Sequence, residues 1–131
     1  MANLSTLLSA SFIISDTTLS PSPQIVTRSL NNPTLAATVV FYDPFFQASN
    51  AGSAVTLPSA TCWIAYVKNL DAAATLTVAW TAVGAAGSST MVLVAGGVFI
   101  YFQPVETAGG FTAMTLTASA GTISAEVLIA K

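Results

Sequence analysis

The chain contains no histidine. That removes His-based nucleophile activation, histidine metal sites and imidazole pH switches in one step. It has a single cysteine, Cys62, so no internal disulfide can form. A zinc site would have to be built from that one thiol and scattered carboxylates. Cations are nearly missing too. Arg28, Lys68 and Lys131 are the only ones, too few for a phosphate-binding stripe or for docking on anionic lipid. Neither nucleic acid nor a membrane surface is therefore expected as a partner. The acids are Asp16, Asp43, Asp71, Glu106 and Glu126, and none forms a close pair along the chain.

Only 6% of the residues are charged, whereas 53% are hydrophobic. About a quarter charged is ordinary for a soluble domain. High hydropathy with low charge is the reverse of a disordered composition. A spanning helix needs roughly 20 mostly apolar residues without breaks. The longest uncharged stretch, 72–105, is interrupted by Gly84, Gly87, Gly96 and Gly97 and by many Ser and Thr. The N-terminal "MANLSTLLSASFIIS" has no Lys or Arg before its apolar part. A secretory signal carries such a basic region, so the expectation is a chain made in the cytoplasm without a signal peptide.

Alternation with period two is abundant. In "TLTVAWT" (75–81) the large apolar residues Leu76, Val78 and Trp80 are separated by Thr and Ala. The same pattern places Met114, Leu116, Ile123, Val127 and Ile129 on buried strand faces. The outer faces are made polar by Thr and Ser instead of charge. Turn signals at "KNLDAA" (68–73), "AGG" (95–97), "TAGG" (107–110) and "SAG" (119–121) recur at the spacing of sandwiches and barrels. They read as hairpin turns, with Asn69 in a left-handed conformation and Asp71 near Lys68. Upstream, "QIVTRSL" (25–30 with Gln24) and "TLAATVVFY" (34–42) add strands, the second ending at Asp43-Pro44. "SAVTL" (53–57) is a short further candidate.

The first 24 residues differ. Leu4, Leu7, Leu8 and Phe12 stand at helical spacing, and "LSPSPQ" (19–24) is an extended lead with two prolines. Residues 1–24 read as an arm, extended or short-helical, and 25–131 as an all-β antiparallel sandwich.

Little chemistry is available. No catalytic residue, cofactor site or metal site is expected. Asp43, Asp71 and Glu106 sit near loops that could converge on calcium, but no D-x-D-x-D spacing is present. The glycine pairs 96–97 and 109–110 lack the Lys-Ser/Thr of a phosphate loop. Trp63 and Trp80 could stack on sugar rings, though Trp80 shares its face with Leu76 and Val78. Cys62 opens the apolar run "CWIAYV" and is expected to be reduced and buried. The apolar residues in need of cover are Leu4, Leu7, Leu8 and Phe12 in the arm, with Tyr42, Phe45 and Phe46 in "VVFYDPFFQ". These seven are the candidate inter-subunit contacts.

The segments "TLPSATCWIAYVKNLDAAATLTVAW", "MVLVAGGVFIYF" and "FTAMTLTASAGTISAEVLIAK" together resemble small virion structural proteins of tailed bacteriophages. The resemblance covers residues 56–131 and lies in the order of the strands and turns. It implies a jelly-roll-like sandwich in a capsid-decoration, head-fibre or tail-associated role, located in the virion. It also implies partners: copies of the chain itself, as a trimer or larger assembly, and other virion proteins such as a major capsid protein. Low charge fits this, because uncharged strand edges invite association. A carbohydrate- or receptor-binding module of a phage fibre, presenting Trp63 or Tyr42, is the alternative.

Overall fold

A computed structural model of the chain describes residues 39–57, 62–102 and 110–131 in full, and the backbone of 9–16 and 24–31. The chain forms two compact units, Met1–Thr38 and Val39–Lys131. In the first, β1 (Ser9–Asp16) and β2 (Gln24–Asn31) pair antiparallel, from Ser9 opposite Asn31 to Asp16 opposite Gln24. Gln24–Asn31 is therefore not a sandwich strand. The chain doubles back between β1 and β2, so 1–24 is not one extended reach, and the units divide after Thr38. Phe12 lies in a strand, not in a helix. The sequence carried that signal: Ala10, Phe12 and Ile14 alternate with Ser9, Ser11, Ile13 and Ser15, and Ile13-Ile14 is a β-branched pair. Leu4, Leu7 and Leu8 lie outside the described residues.

The second unit is an eight-stranded antiparallel sandwich. Its strands are β3 (Val39–Ser49), β4 (Ser53–Ala54), β5 (Ile64–Asn69), β6 (Leu76–Ala82), β7 (Ser89–Leu93), β8 (Val98–Phe102), β9 (Phe111–Ala118) and β10 (Thr122–Ala130). First pairs with last, β3 with β10, and then β4 with β9, β5 with β8 and β6 with β7. That is one long antiparallel ribbon. Rolling it brings β10 beside β5 and β9 beside β6. Two sheets result, ordered β3-β10-β5-β8 and β4-β9-β6-β7, which is the strand order of a jelly roll.

The core is the alternating residues of both inner faces. Leu76, Val78, Met114, Leu116, Ile123, Val127 and Ile129 are all buried there, as the alternation predicts. Trp80 packs against this core from a partly exposed position, its ring 4.8 Å from Phe99 and 6.4 Å from Tyr101. Strand β5 is buried on both sides at its start, where Ile64 and Ala65 are both shielded from solvent.

The turns are where expectation and structure part. Of the sandwich strands, only β6 and β7 are consecutive neighbours within one sheet. "KNLDAA", "AGG" and "SAG" instead carry the chain from one sheet to the other, as does the connection ending at Gly110. A short Gly- or Asn-containing turn serves either purpose, so its composition cannot tell a hairpin from an arch. Gly96 has φ +70°, and a Cβ at Gly97 would stand 2.9 Å from the Val94 carbonyl oxygen. Among the described residues no non-glycine has a positive φ, so Asn69 is not left-handed. Its side chain does the work instead: fully buried, it donates from Nδ2 to the carbonyls of Ala74 (2.8 Å), Leu93 (3.3 Å) and Val94 (3.2 Å). Its Oδ1 accepts the Asp71 N–H at 3.0 Å.

Asp71 extends this turn. Its carboxylate accepts the N–H groups of Ala74 (2.6 Å) and Ala73 (2.8 Å), and it makes no ion pair with Lys68. These bonds, Ala74 first, hold its carboxyl below the usual range. A depressed folded-state value stabilises the fold above the unfolded value of about 3.9, and that contribution is lost as pH falls through the folded value. Asp71→Asn is expected to flatten the acid limb of a stability-versus-pH curve below about pH 4. Superimposable limbs for the two proteins would show that the turn carries no such linkage.

Strand β3 continues through Asp43-Pro44 instead of stopping there. Its register against β10 slips between the pairs Ala125–Phe46 and Val127–Asp43, an extra residue that makes a bulge. An edge strand tolerates this, since proline there forfeits no ladder bond. Asp43 Oδ1 accepts the Phe45 N–H at 2.9 Å within the bulge.

Candidate functional site

Two surfaces of the sandwich stand out by what they expose. The first is the outer face of the β3-β10-β5-β8 sheet. Register places Tyr42, Leu128, Tyr66 and Ile100 in one row across all four strands, with Glu126, Lys68 and Val98 in the next. The Tyr42 hydroxyl donates to Glu126 Oε1 at 3.2 Å. Partial desolvation, then the Glu126 carboxylate, pushes the Tyr42 and Tyr66 hydroxyls above their ordinary values. The bulge turns Phe45 outward to 68% exposure, and Tyr42 is 55% exposed. Phe46 faces the other way, packing on the core with its ring 6.2 Å from Phe41. Of the candidate contacts with described side chains, Tyr42 and Phe45 are thus at the surface and Phe46 is a core residue.

The second surface is the flank made by β7 and β8. Met91, Val92, Val94, Val98 and Ile100 are exposed there, from 38% for Ile100 to 65% for Val94. "MVLV" and "VFIYF" read in sequence as core strands, so none of the five stood out as a surface residue. The signal that could have found them is the absence of any charge between Asp71 and Glu106.

The Asp43 and Asp71 carboxylates are occupied by backbone N–H groups of their own turns. Glu106 lies outside the described residues. Among the described residues no three His, Cys, Asp or Glu side chains gather. Trp63 is only 1% exposed, its ring packs edge-on at 6.1 Å from Phe102, and its buried indole N–H finds no acceptor among the described residues. It cannot stack on a sugar. No helix among the described residues is long and apolar enough to cross a membrane.

Cys62 is fully buried, and its backbone exchanges hydrogen bonds with Phe111 in an isolated bridge. Burial pushes its thiol up, with Lys131 offsetting part of the rise. Less thiolate and no access both slow reaction. Labelling of the native protein by a thiol reagent is expected to be at least tenfold slower than in denaturant. Equal rates would place the sulfur at the surface.

In comparisons with known proteins, no family model, no curated protein and no solved structure matches the chain.

Proposed function

We propose that the chain is a non-enzymatic structural subunit of a virus particle, a capsid-decoration or other virion surface protein that assembles through apolar β contacts. The observation that carries this reading is the exposure of five apolar side chains on β7, β8 and the uncharged arch between them, with Tyr42 and Phe45 also outward on the sandwich surface. A solitary domain normally places Lys or Glu at such edges. A subunit held in an assembly has no need of them. The partners are further copies of the chain and a major capsid protein. Leu4, Leu7, Leu8 and Phe12 remain proposed contacts. Because β1 pairs with β2, the deletion that tests them removes residues 1–38 as a unit, and unchanged assembly would refute their part.

Quantitative mass spectrometry of particles purified from cells carrying the gene tests the role. Copies in the hundreds per particle are expected, and absence from particles overturns it. The second reading is a carbohydrate- or receptor-binding module. Tyr42 favours it, exposed with its hydroxyl fixed on Glu126. Glycan-array binding that Tyr42→Ala abolishes would establish that reading in place of the first.

A further inference from the structure

A sandwich of two four-stranded sheets has four edge strands, here β3 and β8 in one sheet and β4 and β7 in the other. An edge offers unpaired N–H and C=O groups to any extended chain, and proteins blunt such edges with bulges, proline, charge or brevity. On one flank both edges are blunted. Strand β3 has a bulge, Asp43 and Pro44, and β4 is two residues long. On the other flank neither edge is. Strands β7 "STMVL" and β8 "VFIYF" contain no charge and no proline, and both run without a register shift against their inner neighbours.

We propose that this open flank pairs with the same flank of a second copy, β8 to β8 and β7 to β7, about a two-fold axis normal to the sheets. This rests on the reading that the chain works as an assembled subunit, and it names the surface and the partner. Three features select a second copy as the occupant. A single added strand would cap one ladder and leave the other open. The flank presents two edges, one from each sheet, roughly 10 Å apart, and the body that offers two strands at that spacing is another such flank. A two-fold along the sheet normal reverses strand direction, so both pairings are antiparallel and each sheet continues as eight strands. Finally, across a two-fold each edge meets an edge of its own charge, and like charges facing each other repel. No charge falls between Asp71 and Glu106, a stretch that holds both strands and the arch between them. Met91 and Ile100 are the midpoints of the two strands, so each pairing opposes five residues to five. Val92, Val94 and Val98, exposed in one subunit, lie beside the seam.

The test is the mass of the full chain in solution by light scattering, for the wild type and for Met91→Lys and Ile100→Lys, both at exposed positions. The wild type is expected to weigh at least a dimer, and each lysine variant to halve that mass while keeping a strand-rich circular dichroism spectrum. Lysine variants of unchanged mass overturn the proposal. If a lysine variant does not fold, Ile100→Cys decides. Mild oxidation should then link two chains across the axis, and an oligomer that does not cross-link refutes the pairing. An oligomer that Tyr42→Ala and Phe45→Ala dissociate, but the edge variants do not, overturns this surface and leaves the assembled-subunit reading standing. A wild type that is monomeric at every concentration overturns both.

Discussion

Asn69→Ala is expected to lower the stability of the sandwich by about 3–5 kcal/mol, since each buried polar group left unpaired costs about 1–3 kcal/mol. Three groups lose the amide as partner together: the carbonyls of Ala74 and Leu93 and the N–H of Asp71, while the Val94 carbonyl keeps the Gly97 N–H at 2.9 Å. They belong to two different inter-sheet arches, so the loss loosens the crossing of both. The Asn69 backbone adds a further tie, donating to the Gly97 carbonyl at 2.9 Å, and the substitution leaves this one in place. Asn69→Asp separates polarity from volume. It keeps the shape but turns a donor into an acceptor facing three carbonyls. At neutral pH it should cost at least as much as alanine, and part of that should return in acid, where the carboxyl is protonated and donates again. Denaturant unfolding at pH 7 and pH 4 measures both. A loss under about 1 kcal/mol for Asn69→Ala would mean that water replaces the amide without penalty.

Phe111→Ala should cost about as much, in the range of about 3–5 kcal/mol for a buried aromatic truncation. Phe111 is fully buried at the start of β9. It is the last member of an aromatic series that runs between the sheets. Phe99 and Trp80 meet at 4.8 Å, Trp80 and Tyr101 at 6.4 Å, and Tyr101 and Phe111 edge-to-face at 5.3 Å. The Tyr101 hydroxyl also donates to the Gly110 carbonyl at 3.1 Å. Truncation opens a cavity beneath Tyr101 and next to the Cys62 bridge. A melting temperature lower by roughly 12–20 °C is expected, at roughly 4 °C per kcal/mol for a unit of this size. Faster labelling of Cys62 should accompany it, because the sulfur is the nearest reporter of that cavity's opening. A stable variant with Cys62 still protected would show that the neighbouring rings collapse into the space.

The buried face of the sandwich was legible because burial follows alternation wherever one face meets a core. Leu76 and Val78, Met114 and Leu116, and Ile123 through Ile129 are read correctly by that rule alone. Reading failed where alternation is silent. Met91 falls opposite Val78, at a core position by register, yet it is exposed because β7 is the last strand of its sheet. Trp63 looked available for a ligand because "CWIAYV" is apolar throughout, and it is buried. Nothing local distinguishes these two cases, since exposure at the end of a sheet depends on how many neighbours a strand has.

Composition and periodicity by themselves determined an all-β chain with Thr and Ser on its outer faces and no histidine chemistry. They also placed the chain's one thiol in the interior, at the head of an apolar strand. These are properties of each strand alone, decided by which side chains water rejects. Tertiary structure decided the rest. It made arches out of turns that read as hairpins, because pairing is settled by which distant strand lies alongside. It gave Gln24–Asn31 to β1, and it carried β3 through Pro44 on an edge where a missing N–H costs no ladder bond. It also set two blunted edges on one flank and two open ones on the other. An edge is a position in a sheet and not a property of a sequence, so that asymmetry exists only once the ribbon has been rolled.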